Sequence, residues 1–354
     1  MDSGPPDGLL ISASSAPERS RALSALIGLA LSALFAWLAF RGLDTEVVLN
    51  QAGQIRLLPV LVCLATQVLC QLLRLLRWGL MLRRLGDISW RRVFAIGSVG
   101  TPAVSLLPAR IGELVRPVLV AEESEIDFGR ASATVVTERL VDGGLMSLVF
   151  LSLLSLFGKE NTSAGLFVSG LAFSTLFLVA AIALWLGFRY RERVLQLIGS
   201  LAHLSPGAAR LTSRVFAGFA AALQPIVSRR VVLPYLGLSL LLWATEAISI
   251  YSLFGVTGQS LPFSASIVVL IAIVVGTLIP SGPAHLGIFE YSVVVGLSFF
   301  DPPIGAAAFF GALLHFLQIV VLLAFAWLGL WLGNIRFDRL LSLGRRQASS
   351  RPVT

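Results

Sequence analysis

The sequence predicts an all-α fold: a polytopic membrane protein with about six full transmembrane helices and two re-entrant helical hairpins, arranged as an inverted repeat. Of the 354 residues, 56% are hydrophobic and only 13% are charged, a balance outside that of soluble domains. Several apolar runs are long enough to cross a bilayer, and two further apolar regions are interrupted by clusters of Pro and Gly.

The chain divides into three parts. Residues 1–21 form a tail rich in Ser and Pro, which we expect to be disordered and cytoplasmic. Residues 22–334 are predicted to form a single transmembrane domain, and residues 335–354 a basic cytoplasmic tail. The first apolar run is longer than the core of a signal peptide, so it is predicted to be retained as a span.

Six apolar runs are predicted to cross the membrane, because a spanning helix needs roughly 20 apolar residues. They are Ala22–Phe40, Leu57–Leu82, Ala131–Phe157, Ala164–Phe188, Val231–Val256 and Ile304–Leu332. Two interrupted regions, Val93–Ala121 and Phe263–Phe300, are each compatible with one crossing, two crossings or a hairpin that enters and leaves on one side.

The distribution of Lys and Arg decides between these alternatives. If both regions are hairpins, most of the 27 Lys and Arg residues lie on the side of the amino-terminal tail, and only Arg41, Arg56 and Lys159 lie opposite. Cytoplasmic loops carry such an excess of positive charge, so both termini are predicted to be cytoplasmic. The units 57–157 and 231–332 then each run span, hairpin, span, with opposite topology.

Residues 189–230 connect the two units and are predicted to form a cytoplasmic amphipathic linker. Its arginines are expected either to meet anionic headgroups at the membrane surface or to be solvated.

The hairpins are expected to break at Pro and Gly residues. Irregular backbone survives in a bilayer only where protein or a water-filled cavity surrounds it, and such breaks mark substrate sites in transporters with inverted repeats. The predicted break residues are Pro108 in the first hairpin and Pro280, Gly282, Pro283 and Gly287 in the second.

Ionisable residues inside the spans are the candidate functional residues, since each costs about 2.5–3.5 kcal/mol at the membrane centre unless it faces a cavity or a partner. The predicted headgroup site comprises Arg74, Arg110, Gly112, Glu113 and Arg116. A half-helix starting near Ile111 would aim free N–H groups at the cavity, and Arg110 would add hydrogen bonds to a phosphate. An anionic headgroup is the expected ligand, unless Arg110 and Glu113 only neutralise each other. Arg77 is expected to snorkel to the interface, which leaves Arg74 as the better candidate.

A second set of residues is predicted to set the charge of the cavity or to couple transport to protons. It comprises Glu138, Arg139, Asp142, Glu246, His285 and Glu290. Glu138 and Asp142 share a helix face and are expected either to pair with arginines of the repeat or to lie in the headgroup zone. Glu246 has no charged neighbour in sequence, so we expect it to face inward with a proton bound. Glu290 corresponds to Glu113 and is expected to carry protons or to hold the hairpin tip by hydrogen bonds.

Metal, cofactor and nucleic-acid sites are not expected. The chain has only three histidines and no H-E-x-x-H spacing, so no metal is predicted. No phosphate-binding P-loop pattern is present, so an ion gradient, the membrane potential or the lipid gradient would have to drive transport. The arginines lie mostly between apolar spans, which argues against a nucleic-acid surface.

Three segments resemble a known family. They are Leu107–Pro117, with the pattern P-x-R-x-G-E-x-x-R, Ala133–Asp142, with E-R-x-x-D, and the later run Pro280–Glu290. Together they resemble the flippase-like membrane domain of lysylphosphatidylglycerol synthases and its stand-alone relatives, including those linked to hopanoid and polyprenyl-lipid transport.

The resemblance implies movement of a lipid with an anionic or modified headgroup between the leaflets of a bacterial inner membrane. In that family lysyl transfer belongs to a separate soluble domain. Residues 335–354 leave no room for one, so we expect a transporter rather than an enzyme. Membrane lipids are the expected partners, and a homodimer or an envelope-biosynthesis partner stays open. Two rival functions also stay open: an intramembrane enzyme acting on a lipid-linked substrate, and a non-transporting scaffold subunit of an envelope glycolipid complex.

Overall fold

The computed structural model describes residues 18–41, 53, 55–106, 112–157, 164–200, 206–226, 228–256, 260–279 and 281–333. In these ranges the chain forms twelve α-helices and no β-strand. The helices are α1 (Glu18–Phe40), α2 (Leu57–Leu82), α3 (Trp90–Leu106), α4 (Gly112–Glu123), α5 (Phe128–Phe157), α6 (Ala164–Arg189), α7 (Arg191–Ser200), α8 (Pro206–Ile226), α9 (Arg229–Phe254), α10 (Phe263–Gly276), α11 (Ile288–Leu297) and α12 (Ile304–Gly333). Two 3₁₀ turns, Pro283–His285 and Ser298–Phe300, flank α11.

Five helical stretches of the described chain are long and apolar enough to cross a membrane. They are Leu57–Leu82, Gly170–Arg189, Arg229–Phe254, Pro283–Phe300 and Ile304–Gly333. Large apolar side chains point outward from them, and Leu178, Trp185 and Trp327 are each more than 60% exposed. An apolar surface of this extent is stable against lipid rather than water. The protein is therefore a multi-pass α-helical membrane protein, as its composition predicts.

Two of the six predicted spans differ in character from these five stretches. The helix α5 has 30 residues, but its first half carries the charged residues Glu138, Arg139 and Asp142. The helix α1 has 23 residues, and its apolar part is described from Leu29 to Phe40. Conversely, the stretch Pro283–Phe300 belongs to the region that the sequence predicts as the second hairpin.

The first helices of the two predicted repeat units, α2 and α9, pack along each other. Cys63 Sγ lies 3.4 Å from Ser249 Oγ near one end of α2. Near the other end, Arg77 donates a hydrogen bond to Ser239 Oγ at 3.0 Å. Residue numbers rise along α2 while those of the contacted residues fall along α9, so the two helices are antiparallel.

The helices α3 and α4 form an antiparallel hairpin. Arg92, near the start of α3, donates a hydrogen bond to the carbonyl of Glu123, at the end of α4. Gly112, at the start of α4, lies against Ala103, near the end of α3. The two helices have 17 and 12 residues, so at about 1.5 Å per residue each is shorter than the hydrocarbon core of a bilayer. The predicted break residue Pro108 lies outside the described residues.

The helices α10 and α11 form a second antiparallel hairpin. Gly276, at the end of α10, lies against Ser292 of α11, and Gly296, near the end of α11, lies against Val269 of α10. These helices have 14 and 10 residues. The break between them contains Gly282, Pro283 and Gly287, whereas Pro280 lies outside the described residues.

The close packing of the first hairpin depends on a glycine. A Cβ atom at Gly112 would lie 2.0 Å from the carbonyl oxygen of Ala103, and backbone atoms yield little. We therefore expect Gly112→Ala to lower the free energy of unfolding in detergent by about 1–3 kcal/mol. Gly144→Ala on α5 is the matched control, because nothing lies within 4 Å of its added Cβ. Equal stability of the two variants would contradict this packing.

The linker between the units contains the two helices α7 and α8. No residue of α7 is buried, whereas α8 buries Ala222, Leu223 and Ile226 and packs along α5. A Cβ at Gly129 of α5 would lie 2.5 Å from the carbonyl oxygen of Val215. The α8 part of the linker is thus packed into the helical domain rather than lying only on a surface.

Candidate functional site

Arg77 on α2 is the centre of a buried ion network, and its side chain is 1% exposed. Its Nη1 and Nη2 atoms donate to the two carboxylate oxygens of Asp142 at 2.5 and 2.8 Å. Nη2 also donates to Glu138 Oε1 at 3.3 Å, and the guanidinium lies over the ring of Tyr235, 5.1 Å from its centroid. Bidentate pairing of this kind is among the strongest that an arginine makes, so Arg77 fixes α2 to α5.

The prediction that Arg77 snorkels to the interface is wrong. Arg77 lies only five residues before the end of α2, so the sequence alone places it within reach of the headgroups. In the folded protein it instead turns towards Glu138 and Asp142, which are 61 and 65 residues away in sequence. Their two carboxylates compensate its charge inside the protein, which removes the need to reach water.

Glu138 bridges two arginines. Its Oε2 atom accepts a hydrogen bond from Arg116 Nη1 at 2.8 Å, while its Oε1 atom faces Arg77. The Arg116 side chain is 5% exposed and crosses Gly100 of α3, where a Cβ would lie 2.1 Å from its Cγ. Its guanidinium also lies over the ring of Trp78, 5.5 Å from the centroid. Arg116, which we predicted in the headgroup site, therefore anchors the first hairpin to α5.

The helix α9 completes this network from the second unit. Ser239 accepts a hydrogen bond from Arg77, and Trp243 Nε1 donates to Asp142 Oδ1 at 3.2 Å. The network thus joins α2, α4, α5 and α9. It contains two arginines and two acids, so its formal charge is zero. Such complete pairing is what makes buried charges tolerable in a low-dielectric interior.

Arg74 and Glu246 form a second ion pair between α2 and α9, with Arg74 Nη2 and Glu246 Oε1 2.7 Å apart. The Glu246 side chain is 7% exposed, whereas that of Arg74 is 26% exposed. We expected Glu246 to face inward with a proton bound, because no charge lies near it in sequence. It does face inward, and Arg74, 172 residues away in sequence, lies beside it as a counter-charge. Arg74 keeps an accessible side beside this pair.

Glu113 and Arg139 form a third pair, at 3.3 Å, between α4 and α5. Their side chains are 28% and 46% exposed, so this pair lies at the surface of the helical domain, next to the buried network. Glu113 thus has Arg139 as a partner. Arg110, which we expected to pair with Glu113 or bind the headgroup, lies outside the described residues. Gly112 begins α4 beside it in sequence.

The interface between α2 and α9, called the seam below, also contains neutral polar groups beyond the charged residues. Gln67 Nε2 donates to Ser249 Oγ at 3.1 Å, and Gln67 Oε1 is buried without a hydrogen-bond partner among the described residues. Cys63 and Cys70 are both free thiols buried in this seam. Polar groups therefore line the interface of the two units over much of the length of α2.

The break of the second hairpin is held by hydrogen bonds from α1 and α11. The backbone N–H of Gly282 donates to Ser32 Oγ of α1 at 2.7 Å. The backbone N–H of Gly287 donates to Glu290 Oε2 at 2.7 Å, so this carboxylate caps the amino terminus of α11. The positive end of that helix is thereby occupied by the protein's own acid. Ala284 and His285 both have left-handed backbone angles, φ 59° and 56°.

Glu290 also contacts α12. Its Oε1 atom lies 2.7 Å from Nδ1 of His315, and both side chains are 6% exposed. The His315 ring is stacked on Phe289, with centroids 4.2 Å apart. Of the predicted second set, Glu138 and Asp142 meet in the network, Glu246 and Arg139 lie in the neighbouring pairs, and Glu290 and His285 lie at the separate second break.

Gly287 fixes the approach of α1 to this break. Its φ of 85° favours glycine, and a Cβ there would lie 2.2 Å from the Ser32 carbonyl oxygen. We expect Gly287→Ala to destabilise the protein by about 2–4 kcal/mol, because backbone strain and overpacking add. Thermal unfolding in detergent measures this, with Gly237→Ala as the control because no atom lies within 4 Å of its added Cβ. A melting temperature of Gly287→Ala equal to that of the control would contradict the geometry.

Several residues of the site escaped the sequence reasoning. They are Tyr235, Ser239, Trp243 and Ser32, whereas Arg77 was assigned to the wrong environment. Charge balance is the feature of the sequence that could have revealed the arginine partners. Glu138 and Asp142 are two acids on one helix face, so two cations are needed to neutralise them. No group of three His, Cys, Asp or Glu residues in the described part of the chain has the geometry of a metal site.

A family model described as "Lysylphosphatidylglycerol synthase TM region" matches residues 25–326. The chain belongs to this family. The match runs from α1 into α12, so the ion network and the second break both lie within the shared transmembrane region. This membership confirms the resemblance of the motifs around Arg116 and Glu138, and it indicates a membrane function related to lipids. No curated protein matches the chain.

Proposed function

We propose that this protein is a flippase or transporter that moves a lipid with an anionic or modified headgroup between the leaflets of a bacterial inner membrane. The observation that carries the proposal is the concentration of charge in the seam between α2 and α9. Apolar helices keep paired arginines and acids inside a membrane only where they serve a partner, a cavity or a pathway. Family membership places the same helices in a lipid-related context.

The proposed topology is an inverted repeat of two units, 57–157 and 231–332, each with two spans around a re-entrant hairpin. The antiparallel packing of α2 on α9 supports it, since inversion requires the first helices of the units to run in opposite directions. The short antiparallel pairs α3–α4 and α10–α11 support hairpins that enter and leave on one side. With the charge bias of the loops, this arrangement has both termini in the cytoplasm.

The proposed headgroup site lies in the first unit, at the exposed side of Arg74. Arg74 and Arg139 are the more accessible cations of the three ion-pair groups, with side chains 26% and 46% exposed. A phosphate can approach the exposed edge of such a guanidinium while its acid partner stays in place. The second break is a poorer anion site, because Glu290 already caps the amino terminus of α11.

The buried network has a different proposed role, as a fixed joint. It ties the first hairpin, α5, α2 and α9 together, and each of its charged side chains is in an ion pair. Breaking it inside the membrane would expose unpaired charges. Alternating access by rocking one unit on the other would therefore leave this joint intact and open the surrounding seam. In this proposal the movement takes place in α10 and the second break, which lie outside the joint.

Mass spectrometry of the lipids retained through purification tests the headgroup site. We expect the native protein to retain a lipid class with an anionic or modified headgroup, and Arg74→Gln and Arg110→Ala to lose it. Arg210→Gln is the charge-matched control, because Arg210 is exposed on α8. Identical lipid profiles in all four proteins would contradict the site. A chemically altered lipid formed by the native protein would instead indicate an intramembrane enzyme.

A further inference from the structure

We propose that Glu290 and His315 together form a proton-binding site, and that a proton bound there couples lipid movement to the pH difference across the membrane. This inference rests on the proposed function for its coupling, but not for the proton site itself. The pair joins α11 of the second hairpin to α12, and none of the arginines described above takes part in it.

The geometry leaves one position for a shared proton. Glu290 Oε1 and His315 Nδ1 are 2.7 Å apart, a distance at which a hydrogen atom lies between them. The other carboxylate oxygen, Oε2, is engaged by the backbone N–H of Gly287. The stacked ring of Phe289 holds the imidazole plane in place. The pair therefore exists in two charge states that differ by one proton.

In the state with fewer protons, a neutral imidazole donates its Nδ1–H to the carboxylate, and the net charge is −1. Binding of one more proton gives either an imidazolium with a carboxylate or an imidazole with a carboxylic acid, and the net charge is zero. Only an N–H or O–H bond forms, and the same bond breaks on release. Because a net charge is expensive away from water, burial favours the neutral state, whereas access of water lets the proton leave.

The helix α12, which carries His315, also packs on α2 and α9, whose buried charges already have partners: Arg74 pairs with Glu246, and Arg77 with Glu138 and Asp142. The other titratable groups of α2 and α9 are Cys63, Cys70, Arg229, Arg230, Tyr235 and Tyr251. The helix α10 and the turn Ser298–Phe300 carry no titratable residue, and α12 carries only His315. The remaining titratable groups of the elements packed on α11 are Glu18, Arg19 and Arg21 at the start of α1, His285 in the 3₁₀ turn, Tyr291 on α11 itself, and Arg91 and Arg92 at the start of α3, which packs on that turn. Among these groups, Glu290 and His315 are in direct contact at this break.

The location connects proton binding to movement. Gly287, held by Glu290, lies directly against the backbone of Ser32 and Ala36 of α1. The preceding residues Ala284 and His285 are held in left-handed conformations, which are unfavourable for residues other than glycine. A change in the charge of the pair therefore acts next to a strained segment. A proton would bind when water reaches the pair from one side and leave after the break opens to the other.

Proton binding is measured directly by ¹⁵N NMR of histidine-labelled protein in lipid. We expect the His315 signals, identified by their absence in His315→Gln, to change with pH over the range in which the protein stays folded, and Glu290→Gln to alter that change. Both substitutions are close in size to the native residues, and the side-chain amide introduced by Glu290→Gln would keep an oxygen for the Gly287 N–H. His315 signals that stay the same throughout this range would overturn the proton site.

Coupling is measured in liposomes by following a fluorescent anionic phospholipid with and without a pH gradient. We expect the gradient to change the native translocation rate several-fold and to leave the rates of Glu290→Gln and His315→Gln unchanged. His203→Gln is the histidine control and should respond like the native protein. A native rate indifferent to the gradient, or variants that respond fully, would overturn the coupling while the proposed function stands. Absence of translocation under every condition would instead count against the proposed function itself.

Discussion

Replacing Arg77 by Ala is expected to lower the free energy of unfolding by about 3–5 kcal/mol, because it leaves the largely buried carboxylate of Asp142, 15% exposed, without its charged partner. Arg77 is fully buried and makes the only bidentate ion pair among the described residues. Glu138 would keep Arg116, so the network would carry one uncompensated negative charge. Chemical unfolding in detergent micelles, followed by circular dichroism, measures the loss.

A double variant separates charge balance from simple loss of packing. Arg77→Ala combined with Asp142→Ala leaves the neutral pair of Arg116 and Glu138, so the double variant should be more stable than Arg77→Ala alone. Arg139→Ala is the comparison for an exposed pair and should cost no more than about 1 kcal/mol. If the free energy of unfolding lost in the double variant equals the sum of the losses in Arg77→Ala and Asp142→Ala, the network does not behave as one charge-balanced unit.

Replacing Arg74 by Gln is expected to slow lipid translocation at least tenfold. A hydrogen bond between a charged group and its partner contributes about 1.5–3 kcal/mol, which corresponds to roughly a tenfold to hundredfold change in rate or affinity. In the proposed site, Arg74, whose side chain is 26% exposed, supplies such a bond to the headgroup. Reconstitution into liposomes with a labelled anionic phospholipid gives the rate, and Arg210→Gln should leave it unchanged.

The partner of Arg74 supplies the second control. In Arg74→Gln with Glu246→Gln, two amides face each other, so no buried carboxylate is left unpaired. This double variant should fold as well as the native protein and still translocate slowly. Native translocation by the double variant would mean that Arg74 only balances Glu246, and the headgroup would have to bind elsewhere.

Much of the architecture could be predicted from composition and spacing. Apolar runs marked the long helices α2, α6, α9 and α12 closely, because a spanning helix needs a continuous apolar sequence. The interruptions at Gly112 and at Gly282–Gly287 marked the two antiparallel hairpins, because Pro and Gly stop a helix. These signals do not show which helices contact each other. No feature of the sequence of α3 or α8 indicates that α3 lies along α12 or that α8 packs on α5.

The site was harder to predict, because its contacts join residues far apart in sequence. Arg77 was placed at the interface since a helix end lay within reach, and Glu246 was expected to be protonated since no cation lay nearby. The first inference was wrong, and the second did not foresee that Arg74 lies beside Glu246, because in both cases the compensating charges belong to other helices. Intramembrane acids and arginines are better counted together across the whole chain than helix by helix. Counted in that way, Glu138, Asp142 and Glu246 already require three buried cations.

The two breaks differ in the charged residues that accompany them. The first is followed by Arg116, whose side chain is engaged in the buried network, and by Glu113, which pairs with Arg139 at the surface. The second carries no arginine and is capped by its own acid, Glu290. An anionic headgroup is therefore expected near the first hairpin and α2, and a proton at the second.

The central claim is that this protein moves lipid between leaflets, and reconstitution of the purified native chain tests it most directly. Liposomes with a fluorescent phospholipid in both leaflets are treated with a reductant that does not cross the membrane. If the account is right, liposomes with the protein lose far more than the outer-leaflet half of the fluorescence, and the recovered lipid is chemically unchanged. Loss of only the outer half, as in protein-free liposomes, would contradict it.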